Sequence, residues 1–167
     1  MEIYLLRHAI AMERSEHRGP DEERPLTAEG RRKLKRVVRA MRRTRLKFDA
    51  VFSSPLARAL QTAEIVVDLL RLKNRLQIVA LLKPATPTEK QIAWLENLRP
   101  QLQRVLLVGH EPNFSELTSR LLTGNEQMAI NFKKAGLCKV TAERVAPGSA
   151  TLHWLLTPKQ MELISSE

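Results

Sequence analysis

Three short apolar runs limit the fold of this chain more than any other feature: Ile3-Tyr4-Leu5-Leu6, Ala50-Val51-Phe52 and Val105-Leu106-Leu107-Val108. Each is too short for a helix and carries β-forming residues, so each reads as a buried strand. The stretches between them have helical spacing instead. Thr27 reads as an N-cap, followed by Leu34, Val37, Val38 and Met41 as one apolar stripe. Ser53-Ser54-Pro55 predicts a second helix start, with Leu60, Ala63, Val67 and Leu70 inward. Thr86-Pro87-Thr88-Glu89 opens a third, with Ile92, Leu95 and Leu98 inward. Strands apolar on both faces that alternate with helices belong to a parallel sheet covered on both sides. The expectation is therefore an α/β fold of three layers, a mostly parallel central sheet flanked by helices.

The remaining segments complete that outline. Residues 10–25 form a polar loop with turn signals at Gly19-Pro20 and Arg24-Pro25, long enough to wall or cover a site. Leu76 to Leu82 is predicted as a third strand, stopped by Pro84. Gly109 is read as permitting a tight bend, and Asn113 with Glu116 as a capping-box start to a further helix. Leu137 to Ala142 and Thr151 to Leu156, joined across Pro147-Gly148, predict an antiparallel C-terminal hairpin at the sheet edge. No linker or repeat divides the chain, so residues 1–167 are expected to form one domain.

The strand ends carry the chemistry. Ligands of open α/β sheets sit outside the carboxyl ends of the parallel strands. The first run ends in Arg7 and His8, the second leads into Arg58, and the third runs through Gly109 into His110. A guanidinium fork suits phosphate oxygens, and an imidazole can accept a proton or attack phosphorus. Two arginines and two histidines on one rim form an oxyanion pocket containing a candidate nucleophile. Arginines at such a rim would repel a divalent cation, so no metal is expected. Helix capping accounts for Ser53 and Ser54, and a surface or satisfied-core role accounts for His17 in the polar loop and His153 in an edge strand.

Charge and composition exclude other classes. The net charge is +10, and residues 31–47 hold ten basic residues and no acid, so one helix carries the whole excess. That helix reads as a solvated face or as a surface for an acidic partner. No aromatic residues interleave with these charges, which argues against nucleic acid. The lone cysteine, Cys138, reads as a small core residue. No apolar run is long enough for a membrane span and no signal core stands at the N-terminus, so a soluble cytoplasmic protein is expected.

LLRHA, RPLTAEG at residues 24–30, SSPLARALQTAE and VLLVGHEPN, in this order and spacing, resemble the histidine phosphatase (phosphoglycerate mutase-like) superfamily. The short chain and the VGHEPN form resemble its SixA-type phosphohistidine phosphatase branch. The resemblance runs from Met1 to about Leu122 and implies the phosphoglycerate mutase-like fold. It implies that His8 is the nucleophile that becomes phosphohistidine, that Arg7 and Arg58 hold the phosphoryl oxygens, and that His110 contacts the same oxygens. Arg24 matches a position that is basic and near the phosphate in the SixA-type branch. Ala9 departs from the glycine of many relatives, a small change unless that backbone needs positive φ.

A larger departure is the acidic proton donor that the larger phosphatases and mutases carry near the end of the third strand. This chain reads Leu81-Leu82-Lys83-Pro84 there, with Glu89 the nearest acid downstream and Glu111 assigned to a helix entrance. A phosphate ester gains much from a proton donor, whereas a protonated phosphoimidazole leaves as neutral imidazole. The resemblance and the missing acid together imply a phosphatase acting on phosphohistidine of a protein, with no cofactor. A phosphatase for a small phosphorylated metabolite and a non-catalytic anion-binding module stand as alternatives; a mutase is disfavoured.

Overall fold

The first apolar run forms β1 (Glu2–Arg7), which lies inside the sheet with a neighbour on either side. A computed structural model describes residues 1–166. In chain order the elements are β1, α1 (Ala28–Arg43), β2 (Ala50–Ser53), α2 (Ala57–Leu69), β3 (Leu76–Ile78), α3 (Thr88–Leu98), β4 (Arg104–Gly109), α4 (Asn113–Thr123), β5 (Leu137–Ala142), β6 (Ala150–Leu156) and α5 (Pro158–Ser166). The strands form one sheet in the order β3-β2-β4-β1-β5-β6. The first four of that order are mutually parallel, while β5 runs antiparallel to both β1 and β6. The mixed α/β sheet with its C-terminal hairpin at the edge is the predicted architecture.

Strand alternation explains the three layers. Tyr4, Leu6, Val51, Leu106 and Val108 point to one face, where they meet Leu34, Val37 and Met41 of α1, Ala59, Ala63 and Val66 of α2, and Met161 of α5. Ile3, Leu5, Phe52, Val105 and Leu107 point to the other, against Ile92 and Leu95 of α3 and Phe114 and Leu117 of α4. Cys138 is buried in that second layer, and burial pushes its thiol up to about 12. No helix among the described residues is long and apolar enough to cross a membrane.

Several local readings need correction. The third strand stops at Ile78, and Ala80–Leu82 turns into a short 3-10 helix. On α2 the buried face is Ala59, Thr62, Ala63, Val66 and Val67, so Leu60 and Leu70 are only half-buried. That helix begins at Ala57 rather than around Pro55, with Leu56 as an N-cap that makes no side-chain bond. Asn113 and Glu116 form no capping box. Asn113 instead accepts a hydrogen bond from Gln91 Nε2 at 2.6 Å and donates Nδ2 to the Thr86 carbonyl at 2.8 Å, tying α4 to the start of α3. Gly109 is needed for space rather than for a bend, since an added Cβ would lie 2.7 Å from the Phe114 ring. Gly30 is required for the same kind of reason: its Cβ would lie 2.1 Å from the Ile10 carbonyl oxygen. That contact brings the chain leaving β1 onto the first turn of α1, where Thr27 caps the helix as expected by accepting from Gly30 N at 2.9 Å.

Candidate functional site

Sheet register assembles the site. β1 and β4 pair in parallel with Arg7 opposite Gly109, and the His8 amide donates to the Gly109 carbonyl at 3.0 Å. His8 and His110 thus leave adjacent strands side by side, with ring centroids 5.3 Å apart. β2 lies on the far side of β4, and the Ser54 amide donates to the Val108 carbonyl at 3.0 Å. This places Ser54 beside His110 and brings Arg58, in the first turn of α2, to the same rim.

His8 is 6% exposed and held at both its backbone and its ring. Its Nδ1 lies 2.7 Å from the Ala9 carbonyl oxygen. A carbonyl only accepts, so the proton sits on Nδ1 and the lone pair on Nε2. Burial is the main cause that pushes the ring down to about 3; the bond to Ala9 opposes this, and Arg58, Arg7 and Lys134 add to it. The ring is therefore neutral at ordinary pH. Loss of hydration is thus a larger cause than repulsion from the neighbouring cations. Ala9 has no positive φ, so alanine fits there without strain. Its amide donates to Thr62 Oγ1 at 3.1 Å, and that hydroxyl donates to the Arg58 carbonyl at 2.7 Å. The segment bearing His8 is thereby fastened to the helix bearing Arg58.

The cationic groups are anchored at one end and open at the other. Arg7 donates Nη1 to the Phe132 carbonyl at 2.6 Å. Arg58 donates Nη1 to the Asp21 carbonyl oxygen at 2.9 Å and to its carboxylate at 3.1 Å. Arg7 Nε, Arg58 Nε and His110 Nδ1 are buried with no hydrogen-bond partner among the described residues. Buried donors of this kind are rarely left unpaired, and an oxyanion is the group that would satisfy them. His110 is 2% exposed and, chiefly through burial, is also pushed down to about 3. Its Nε2 lies 2.8 Å from Ser54 Oγ. That oxygen also accepts from the Leu56 amide at 3.3 Å, and because the hydroxyl is fully buried with no other acceptor in reach among the described residues, its proton is assigned to Nε2. The imidazole proton is then on Nδ1, the unpaired nitrogen.

Sequence reasoning missed Asp21 and Ser54. Asp21 sits in a 3-10 turn (Asp21–Glu23) of the long loop, between Arg58 and Arg24. Burial pushes its carboxyl up, but Arg24 and Arg58 outweigh this and hold it below the usual range. Arg24 donates Nε to Asp21 at 2.8 Å and Nη1 to the Met12 carbonyl at 2.7 Å, so it reaches the site through that carboxylate. The signal available in the sequence was an acid three residues before Arg24-Pro25. Ser54 was assigned to helix capping; its hydroxyl instead serves His110, while Ser53 Oγ turns back to the Ser54 carbonyl at 2.9 Å.

The other acids are occupied elsewhere. Glu111 accepts from the Ser115 amide at 3.1 Å and from its hydroxyl, which is the helix-entrance role expected of it. Glu89 pairs with Arg120 at 2.7 Å, and Lys83 pairs with Glu22 at 3.2 Å. His17 bonds to the Pro20 carbonyl and His153 to Thr141, so both ring nitrogens that take part serve local contacts. Among the described residues no three His, Cys, Asp or Glu side chains gather in a way that could hold a metal ion.

A parallel-sheet rim that sets a neutral, proton-fixed imidazole among guanidinium groups has the chemistry to hold an oxyanion beside a nucleophile. Comparison with known proteins agrees. The sequence model of the histidine phosphatase superfamily (branch 1) matches residues 3–82. An uncharacterized protein of Picosynechococcus sp. is 35% identical over 138 residues, which is 82% of each chain. The tungstate complex of the protein histidine phosphatase SixA superposes with a TM-score of 0.86 at 26% identity, covering 95% of this chain and 98% of that one. The α-ribazole phosphatase of Shigella flexneri shares the fold, with a TM-score of 0.72 at 19% identity over 95% and 97% of the two chains. The chain belongs to the histidine phosphatase superfamily, resembles SixA within it, and is a phosphatase.

Proposed function

We propose that this protein hydrolyses phosphohistidine on a protein substrate, through a covalent phosphoryl intermediate on His8. Arg7 and Arg58 bind the phosphoryl oxygens by charge-assisted hydrogen bonds, using the Nε groups that are otherwise unpaired. His110 donates Nδ1–H to the same oxygens. Arg24 acts one step back, holding Asp21 against Arg58. His8 Nε2 attacks phosphorus in line; the new P–N bond forms as the substrate's P–N bond breaks. The phosphorylated imidazole, protonated beforehand, leaves as neutral imidazole. Water then attacks phospho-His8, the P–N bond returns its electron pair to Nε2, and phosphate departs with the water's oxygen. The developing charge lies on equatorial oxygens, where fixed cations stabilise it, so the sequence of steps calls on no metal ion.

The observation that carries the substrate assignment is the state of the acid beside the arginines. Asp21 is held as a carboxylate by two guanidinium groups, and Lys83, at the end of the 3-10 turn that follows β3, is paired with Glu22 and supplies no carboxyl there. A leaving alkoxide would go without a proton; a leaving imidazole does not need one. General acid assistance is worth about 10²–10⁴ in rate, enough to separate the two substrates. The likeness to SixA, a protein histidine phosphatase, points the same way. A small phosphorylated metabolite is the second reading, favoured by the fold shared with α-ribazole phosphatase.

Turnover of a phosphohistidine-bearing protein should exceed that of small phosphomonoesters by the same two to four orders of magnitude. Faster hydrolysis of esters would overturn the substrate while leaving the enzyme in place. Labelled phosphate should be trapped on the wild-type protein in acid-labile form and not on His8→Ala. Binding of phosphate without trapping would reduce the site to an anion-holding module.

A further inference from the structure

A groove of about 760 Å³ opens beside the site and shares Arg7 with it. Four lysines line it: Lys33 on α1, Lys133 and Lys134 on the segment before β5, and Lys159 at the start of α5. Lys134 is close enough for its charge to act on His8. Lys33 is paired with Glu29 at 2.7 Å, and Lys134 is loosely paired with Glu13 at 3.7 Å. Lys133 and Lys159 are exposed and form no ion pair among the described residues. The one acid in the wall, Glu162, is engaged by Arg36 at 3.3 Å.

We infer that this groove receives an acidic stretch of the substrate's own chain, next to the phosphorylated residue. The inference rests on the phosphoprotein reading above and specifies what lies around the phosphoryl group. The lysines come from three separate elements and carry their charges on long, flexible stems. That spread suits several carboxylates in succession rather than one compact anion, for which a rigid set of buried donors would be needed. The groove leads to Arg7, so carboxylates along it would set the approach of the phosphorylated side chain to His8. Complementary charge of this kind also speeds encounter and selects among partners.

The test uses two peptides of equal length that carry phosphohistidine, one flanked by glutamates and one by serines, with the full-length protein. The wild type should show a KM about tenfold lower for the acidic peptide, and Lys133→Glu/Lys159→Glu should bring the two values together or invert them. Lys47→Glu/Lys90→Glu, an equal charge change at exposed positions away from the groove, should keep the difference. Equal KM values in the wild type, or a preference that survives Lys133→Glu/Lys159→Glu, would overturn the inference. Fluorescence anisotropy of an unphosphorylated glutamate-rich peptide provides a readout independent of turnover. Binding lost in Lys133→Glu/Lys159→Glu supports the groove even if neither phosphopeptide is hydrolysed, an outcome that would count against the phosphohistidine reading alone. Absence of peptide binding would overturn the inference, and displacement of the peptide by tripolyphosphate at much lower concentration would assign the lysines to a small polyanion instead.

Discussion

His8 and His110 are a pair of neutral imidazoles with opposite arrangements. One gives its Nδ1 proton to a backbone carbonyl and keeps a lone pair on Nε2; the other takes a proton at Nε2 from Ser54 and presents Nδ1–H. Ser54→Ala removes the partner that fixes the second arrangement. It should lower kcat roughly tenfold, the worth of one well-placed hydrogen bond, with KM changed far less. Steady-state kinetics on one substrate reads both. The same burial makes the two rings an acid liability. In the unfolded chain each takes a proton near its ordinary value of 6.5, whereas in the fold each stays neutral down to about 3. Between those limits the unfolded state binds more protons, so stability is complete above about pH 6.5 and lost on acidification. Each ring contributes a slope of up to about 1.4 kcal/mol per pH unit. Denaturant unfolding from about pH 6.5 to 5 should show this fall, and His110→Gln should remove about half of it. Arg7, His8, Arg58 and His110 were legible in the sequence because each follows a strand pattern at a definable place. Asp21 and Ser54 were not, since their meaning comes from partners 37 and 56 residues away.

Helices α1 and α2 end alike. In each the residue after the C-cap adopts a left-handed conformation, Arg45 at φ 54° and Arg71 at φ 59°. Leu46 N then reaches back to the Met41 carbonyl and Leu72 N to that of Val67, while Arg45 and Arg71 bond to Arg42 and Asp68. This is the Schellman pattern, in which glycine is the usual residue because a Cβ there is strained. Arg45→Gly and Arg71→Gly should each stabilise the protein by about 0.5–1 kcal/mol, relief of strain exceeding the added chain entropy. Thermal unfolding would read the gain, with activity as the control. Neither helix end carries a glycine, so the motif could not be seen in the sequence. The strand beyond α2 was overextended because Val79, Leu81 and Leu82 continue the apolar composition after the sheet edge has ended at Ile78. Helix α5 went unread for the opposite reason: its only fully buried side chain among the described residues is Met161, too little for a visible stripe.

At the scale of the molecule, the cationic rim should make stability depend on oxyanions. Phosphate at a hundred times its Kd should add about 2.7 kcal/mol to the unfolding free energy. Arg58→Ala should abolish most of that increment, because it removes one of the two guanidinium groups; a denaturation series with and without phosphate would show it. The parallel core of the sheet was readable from its doubly apolar runs, and the hairpin from its turn. What composition could not convey is how the long loop returns: Ala11 bridges to Leu26, and Asp21 closes onto Arg58 from above.

The amide of His8 hangs from the Gly109 carbonyl, one step beyond the last paired rung of two interior strands. The gap between the two imidazoles is consequently an interstrand distance, inherited from the ladder rather than negotiated by surface loops. Such a gap has no partial setting. On warming, catalysis and the cooperative melting of the β-sheet should disappear along one curve, so that a heated sample holds fully competent molecules and dead ones with nothing half-active between them.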